Sequence, residues 1–216
     1  MYRRALASLA LALAFVGTAA AQSTTPTVTF TAIIEKATQP SICQEETHVI
    51  TCNGALLKST TLDLTKFEGK RFEFHATLTG VECKIWNVTS VAPAKGTLVH
   101  CGSAVPGCPM RMRVGPSGVI GQWFLWFSLA SDFVPLDPVT GTLMLGPPIH
   151  FLGSGPTAGP NQTYDFVVPN SPSVVGLDIF AQGARMDIGP VGPLTLTNPT
   201  CFTILPFMPP CAQPNC

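Results

Sequence analysis

A chain of 216 residues carries 12 basic and 12 acidic side chains, only 11% charged residues in all, and no cluster of cations able to displace the counterions of a nucleic acid. Nucleic-acid binding is therefore excluded, and so is a membrane span in the mature chain, because no later apolar run approaches the roughly 18 to 20 residues that a bilayer requires. With charge this scarce, the exposed surface is built from Thr, Ser, Asn, Gln and backbone, which suits neutral partners such as glycans, envelope proteins or neighbouring subunits.

The first element is MYRRALASLALALAFVGTAAAQ, in which Arg3 and Arg4 precede an apolar run from Ala5 to Val16 and the small residues Ala19, Ala20 and Ala21. This is the pattern of a signal peptide over residues 1–21, cut before Gln22, and it predicts an exported protein, periplasmic, cell-surface or extracellular. Without Arg3 and Arg4 the chain has 10 basic against 12 acidic residues, a net charge of −2 with histidines neutral. In an oxidising compartment eight cysteines, an even number, predict a disulfide framework. The stretch CQEETHVITC, from Cys43 to Cys52, spaces its cysteines too widely for a zinc site, so neither a metal nor any other cofactor is expected.

Residues 22–92 read as a small antiparallel β-unit. Val28, Phe30, Ala32 and Ile34 alternate with Thr29, Thr31 and Glu35, the period of a half-buried strand. HVITC continues as a second strand, which makes CQEETHVITC a stapled hairpin end with Glu45 and Glu46 in the solvated turn. After a turn at Glu68 and Gly69, Phe72, Phe74, Ala76 and Leu78 face inward and Arg71, Glu73, His75 and Thr77 outward, and Gly80 permits only a hairpin into VECKIWNVTSV. Leu64, Phe67 and Gly69, the alternating strand, the Gly80 turn and IWNVTSV resemble the middle of an OB-fold-like barrel over about 65 residues. Two departures stand out: no helix fits between the third and fourth strands, and no basic, aromatic binding face is evident. The resemblance implies a twisted five-stranded barrel of a kind that holds oligonucleotides or oligosaccharides; the charge removes the first.

Residues 93–205 read as an antiparallel β-sandwich, because short strands recur every 8 to 12 residues or so between turns such as Asp137–Gly141 and Pro169–Pro172. GQWFLWFSLA is apolar on both faces, with Trp123, Leu125 and Phe127 opposite Phe124 and Trp126, and so belongs in the centre of a sheet. FVPLDPVTGTLML, VPNSPSVVGLDIFAQGA and LTLTN resemble a recurrent β-module of secreted bacterial proteins, which implies a fold and a compartment but no catalytic residue. Residues 206–216 form a Pro/Cys-rich tail. The expected fold is thus all-β: a small OB-like barrel followed by an antiparallel β-sandwich, joined by disulfides.

Cysteine parity constrains the joining. Cys43, Cys52 and Cys83 precede residue 93 and Cys101, Cys108, Cys201, Cys211 and Cys216 follow it, so complete pairing requires an odd number of bridges between the halves. Among roughly a hundred connectivities, short loops favour Cys101–Cys108 and Cys211–Cys216, with Cys43–Cys52 and Cys83–Cys201 for the rest.

Catalytic patterns are missing from the sequence: no G-x-S-x-G elbow surrounds Ser117 or Ser154, and no H-E-x-x-H or calcium-loop spacing occurs. Asp132, Asp137, Asp165, Asp178 and Asp187 are dispersed beside turns, and His48, His75, His100 and His150 stand alone on predicted strands. Trp86, Trp123 and Trp126 are the candidates for stacking on a sugar if exposed, with core packing as the ordinary role of so large an apolar surface. The expectation is a non-enzymatic secreted or envelope-associated binding or structural module, with a secreted carbohydrate-binding or carbohydrate-active protein, or a subunit of a surface array, as alternatives.

Overall fold

The computed structural model describes residues 27–38, 45–79, 83–94, 96–115, 121–136, 141–157, 162–187, 194–206, 210, 211 and 214. The signal segment, Cys43, Cys216, Asp137 and Gly80 lie outside these residues. The described chain is all-β, its only helical segments being two single 3-10 turns.

The first five strands, β1 (Thr27–Lys36), β2 (His48–Ile50), β3 (Leu56–Lys58), β4 (Arg71–Thr79) and β5 (Ile85–Pro93), close into a barrel in the order β1-β2-β3-β5-β4. Only β3 and β5 run parallel; β1 closes the ring antiparallel to β4. The alternation of β1 drives this, since Val28, Phe30, Ala32 and Ile34 are all buried in the interior with Phe74, Ala76 and Val88. Phe30 and Phe74 stack with centroids 5.5 Å apart. A 3-10 turn, Leu64–Phe67, lies between β3 and β4. Asp63 caps it by accepting from the Thr65 N–H, and Phe67 sets its ring edge-on to Phe72. Gly69 then donates to the Ile34 carbonyl with φ +68°, a backbone region that side chains disfavour.

The outward set of β4 needs a correction. Glu73 is buried, as is Thr31 opposite it in the β1–β4 register, because β10 and β14 pack against β1 and cover this flank of the barrel.

The later strands are β6 (Thr97–Gly102), β7 (Pro109–Gly115), β8 (Gly121–Ser128), β9 (Ser131–Pro135), β10 (Thr142–Leu145), β11 (His150–Pro156), β12 (Gln162–Val167), β13 (Asp178–Asp187) and β14 (Leu194–Thr203). They form sheets ordered β11-β8-β13-β14 and β12-β7-β6, with β9 and β10 as a separate hairpin. Strand β8 is central, as its two apolar faces require, and Trp123, Leu125 and Ala181 of one sheet meet Leu98, Met112 and Val114 of the other in a shared core. At Gly153 an added Cβ would stand 2.7 Å from the Tyr164 ring, so glycine allows β11 to lie this close to β12. On the opposite side the Asn198 side chain links the sheets: its Oδ1 accepts from the Leu98 N–H at 2.9 Å and its Nδ2 donates to the Leu98 carbonyl at 3.0 Å. Pro199 follows within β14, tolerated because β14 is an edge of its sheet.

The β9–β10 hairpin, inserted between β8 and β11, reaches into the barrel. Phe133 packs edge-on to Phe30 at 5.4 Å and tilted against Trp86 at 4.9 Å, and Met144 is buried in the same apolar cluster. Thr142 Oγ1 donates to the Thr29 carbonyl and Asn53 Nδ2 to the Asp132 carbonyl. The hairpin is held from the other side by Gln182, whose Oε1 accepts from the Met144 N–H at 2.8 Å while its Nε2 donates to the carbonyls of Thr142 and Thr197, each at 2.9 Å.

Disulfides Cys52–Cys201 and Cys108–Cys211 overturn all four expected pairings, the two drawn from short loops and the two assigned to the remaining cysteines. Their sequence separations are 149 and 103, so the bridges join distant elements and not turn ends. Cys52–Cys201 ties the β2–β3 turn to β14, a bridge between the halves of the kind parity demands. Cys83 and Cys101 are disulfide-bonded as well.

Candidate functional site

Between the two sheets, at the end where β8, β12 and β14 finish and β11 and β13 begin, the side chains enclose a cleft with a volume of about 510 Å³. Phe127 of β8, Leu152 of β11, Ile179 of β13 and Phe202 of β14 form one wall; Met112 of β7 and Phe166 of β12 form the other. The end is closed by the segment from Val168 to Leu177, which the sequence shapes locally. Ser171 accepts from the Ser173 N–H to cap the 3-10 turn Pro172–Val174, and Gly176 donates to the Ile204 carbonyl at 2.7 Å. The Val168 N–H is bonded to the carbonyl of Cys108, itself fully buried and bridged to Cys211, so this end of the cleft is anchored by sulfur.

Polarity changes along the cleft. Met112, Val168 and Ile204 at the floor are buried, whereas Leu129 and Val167 at the rim are 49% and 61% exposed. His150 lies exposed at the rim and is, among the described residues, the one ionisable side chain lining the cleft, its ring stacked on Phe127 with centroids 5.0 Å apart. Volume and lining both match the usual small-molecule pocket, which is mostly apolar with few polar groups. A second hollow of about 430 Å³ lies between the barrel turn Asn53–Leu56, Cys83–Trp86 and the hairpin residues Ser131–Phe133. It is crossed by the Asn53–Asp132 hydrogen bond and is the more polar of the two.

The tryptophans fall elsewhere. Trp86 is buried in the barrel and Trp123 between the sheets, 6.4 Å from the Tyr164 ring. Trp126 is half-buried on the outward face of β8, stacked on Phe124 at 5.8 Å and beside the exposed Phe151 at 6.4 Å. The acids are taken up in local contacts: Asp165 receives a two-pronged bond from Arg111, Asp187 pairs with Arg185, Asp178 accepts from Thr203 Oγ1, and Asp132 accepts from the Phe133 N–H. The Arg111 bond holds the Asp165 carboxyl below its usual range, and the Thr65 hydroxyl does the same for Asp63. Among the described residues no three His, Cys, Asp or Glu side chains converge as metal ligands.

His48 is buried and bonded to Glu68 Oε1 at 2.9 Å and Thr47 Oγ1 at 2.8 Å; His75 meets Thr29 Oγ1 at 3.0 Å. His100 bonds Thr200 Oγ1 at 2.6 Å, and burial first, then the Arg71 charge, hold its pKa below the ordinary 6.5. Below pH 6.5 the unfolded chain therefore takes up a proton that the folded chain does not, so the penalty on folding is absent above 6.5 and grows as pH falls towards the depressed folded value. Thermal unfolding followed from pH 7.5 to 5 is expected to show a shallower loss of Tm in His100→Gln than in the native chain; equal slopes refute it.

Sequence reasoning placed none of the cleft-lining side chains in a site except by naming His150 as a solitary histidine. The available signal was weak: Phe151 and Leu152, and Phe166 to Val168, carry apolar side chains at successive positions instead of alternating. No family model matches the chain, and no curated protein or solved structure does so either.

Proposed function

We propose that this is an exported, non-catalytic binding module that takes an apolar ligand in the cleft between the two sheets. The cleft itself is the observation that supports it: about 510 Å³ walled by apolar side chains, with the His150 imidazole at the rim. Export is supported by the signal-like first 21 residues together with the disulfides. The strand order β1-β2-β3-β5-β4 with its parallel β3–β5 contact supports an OB-type barrel. Sheets β12-β7-β6 and β11-β8-β13-β14 support a sandwich of immunoglobulin-like order whose fourth strand has joined the second sheet.

In this reading the barrel is not the binding element. Its interior is filled by Phe30, Phe74 and Trp86, and Phe133 packs onto them from the hairpin. The barrel and the hairpin instead pack against β13 and β14 of the β8 sheet, the hairpin through Gln182.

Titration of the purified protein with 1-anilinonaphthalene-8-sulfonate is expected to give saturable binding at one site. Val167→Glu, at an exposed rim position that leaves the core untouched, and Leu152→Glu on the wall are each expected to weaken it at least about tenfold, since they place a charge against an apolar ligand. Equal fluorescence from native and variant proteins refutes the proposal. A glycan-binding reading is favoured only by the half-exposed Phe124, Trp126 and Phe151 group on the outward face, and it requires that Trp126→Ala abolish retention on a glycan array.

A further inference from the structure

We infer that the ligand of this cleft is a single-chain amphiphile, a long-chain carboxylate whose head sits at His150 and whose hydrocarbon tail runs down to Met112, Val168 and Ile204. The inference rests on the proposal that the cleft binds an apolar ligand and adds its chemical class. Three observations carry it. Among the described residues the lining is graded, with one imidazole as its ionisable side chain at the mouth and buried apolar side chains at the floor. A ligand polar throughout would strand its own groups at the apolar floor, and one apolar throughout would make no use of the imidazole at the mouth. A molecule polar at one end and apolar at the other matches both ends of the cleft.

The second observation concerns charge. His150 stacks on Phe127 and has no hydrogen-bond partner among the described residues, so a ring nitrogen is available to donate to a head-group oxygen. Among the described residues no carboxylate lines the cleft to repel an anionic head. Asp165, on the strand that carries Phe166, is held by Arg111, and Asp178, next to Ile179, accepts from Thr203. The third is size. At about 30 Å³ for a water-sized group, about 510 Å³ holds on the order of a dozen or more methylenes, the tail of one chain and not of two.

The experiment is displacement of bound 1-anilinonaphthalene-8-sulfonate by tetradecanoate, its methyl ester and shorter carboxylates, all below their critical micelle concentrations, on the native protein and on His150→Leu. Tetradecanoate is expected to bind about tenfold tighter than its ester on the native protein. On His150→Leu that preference is expected to vanish while the ester keeps its affinity. Shortening the chain is expected to cost about fourfold per methylene removed. Equal binding of acid and ester, an unchanged preference in His150→Leu, or displacement by apolar peptides but not by tetradecanoate overturns the inference while leaving apolar binding standing. A probe that does not bind the native protein at all brings down the proposed function with it. Because His150 is exposed at the rim, its replacement leaves the core intact, and Val167→Glu serves as the control that abolishes binding of acid and ester alike.

Discussion

Replacing Cys52 and Cys201 together by serine is expected to lower the unfolding free energy by up to about 4 kcal/mol. The bridge spans a separation of 149 residues, but Cys108–Cys211 already shortens the path, leaving the loop from Cys52 to Cys108 and from Cys201 to Cys211. On the chain-entropy account a loop of that shortened size corresponds to about 4 kcal/mol, and the bridges at Cys83 and Cys101 make this an upper figure. For a chain of this size the loss reads as a fall in Tm of roughly 8 to 16 °C. Cys52 also adopts φ 75°, unusual for a side chain that is not glycine. Cys52→Gly with Cys201→Ser is therefore expected to recover about 1 kcal/mol relative to the double serine variant. Scanning calorimetry of the two variants checks both statements; a double serine variant as stable as the native protein refutes the first.

The second large effect is expected from Gln182→Ala. This buried amide satisfies the Met144 N–H and the carbonyls of Thr142 and Thr197, and its removal leaves three buried groups without that partner. At about 1 to 3 kcal/mol per orphaned group, partly relieved by water entering the gap, the cost is about 4 kcal/mol. Gln182→Leu, which restores volume but not hydrogen bonds, is expected to recover little of it. The loss falls first on the hairpin. Hydrogen exchange is expected to accelerate at residues 142–145 and in the barrel strand β1, while the β12-β7-β6 sheet keeps its protection. Uniform acceleration across all strands contradicts the assignment of Gln182 to the hairpin.

The two effects share one origin: the contacts that unite the molecule are far apart in sequence, and this determines what could be read in advance. Alternation in VTFTAIIEKA was legible because one strand carries the whole signal, and all four of its expected inward residues are buried. The central place of GQWFLWFSLA was legible for the same reason. Glu73 was assigned outward by the same rule, yet that face of the barrel is covered by elements more than 60 residues later, which no local period reveals. Loop length misled the disulfide pairing, because proximity in sequence says nothing about a turn that meets a strand across the fold. What survived was parity, an argument that needs no geometry. Phe133 and Met144 stand in FVPLDPVTGTLML, a stretch read as part of the second half, although they complete the apolar cluster of a barrel built from residues 27–93. The cleft was hidden for a similar reason, since Met112, Phe166, Ile179 and Phe202 come from four strands and acquire a common meaning only when two sheets face each other.

Methyl-resolved NMR during titration with 1-anilinonaphthalene-8-sulfonate tests the binding cleft most directly. The account predicts saturable shifts at the methyls of Leu129, Leu152, Val167, Val174, Leu177 and Ile204, with one common dissociation constant, and unmoved methyls at Ile34, Ile50 and Leu57 in the barrel. Shifts centred on the barrel methyls, or none at the cleft while the probe binds, would contradict it.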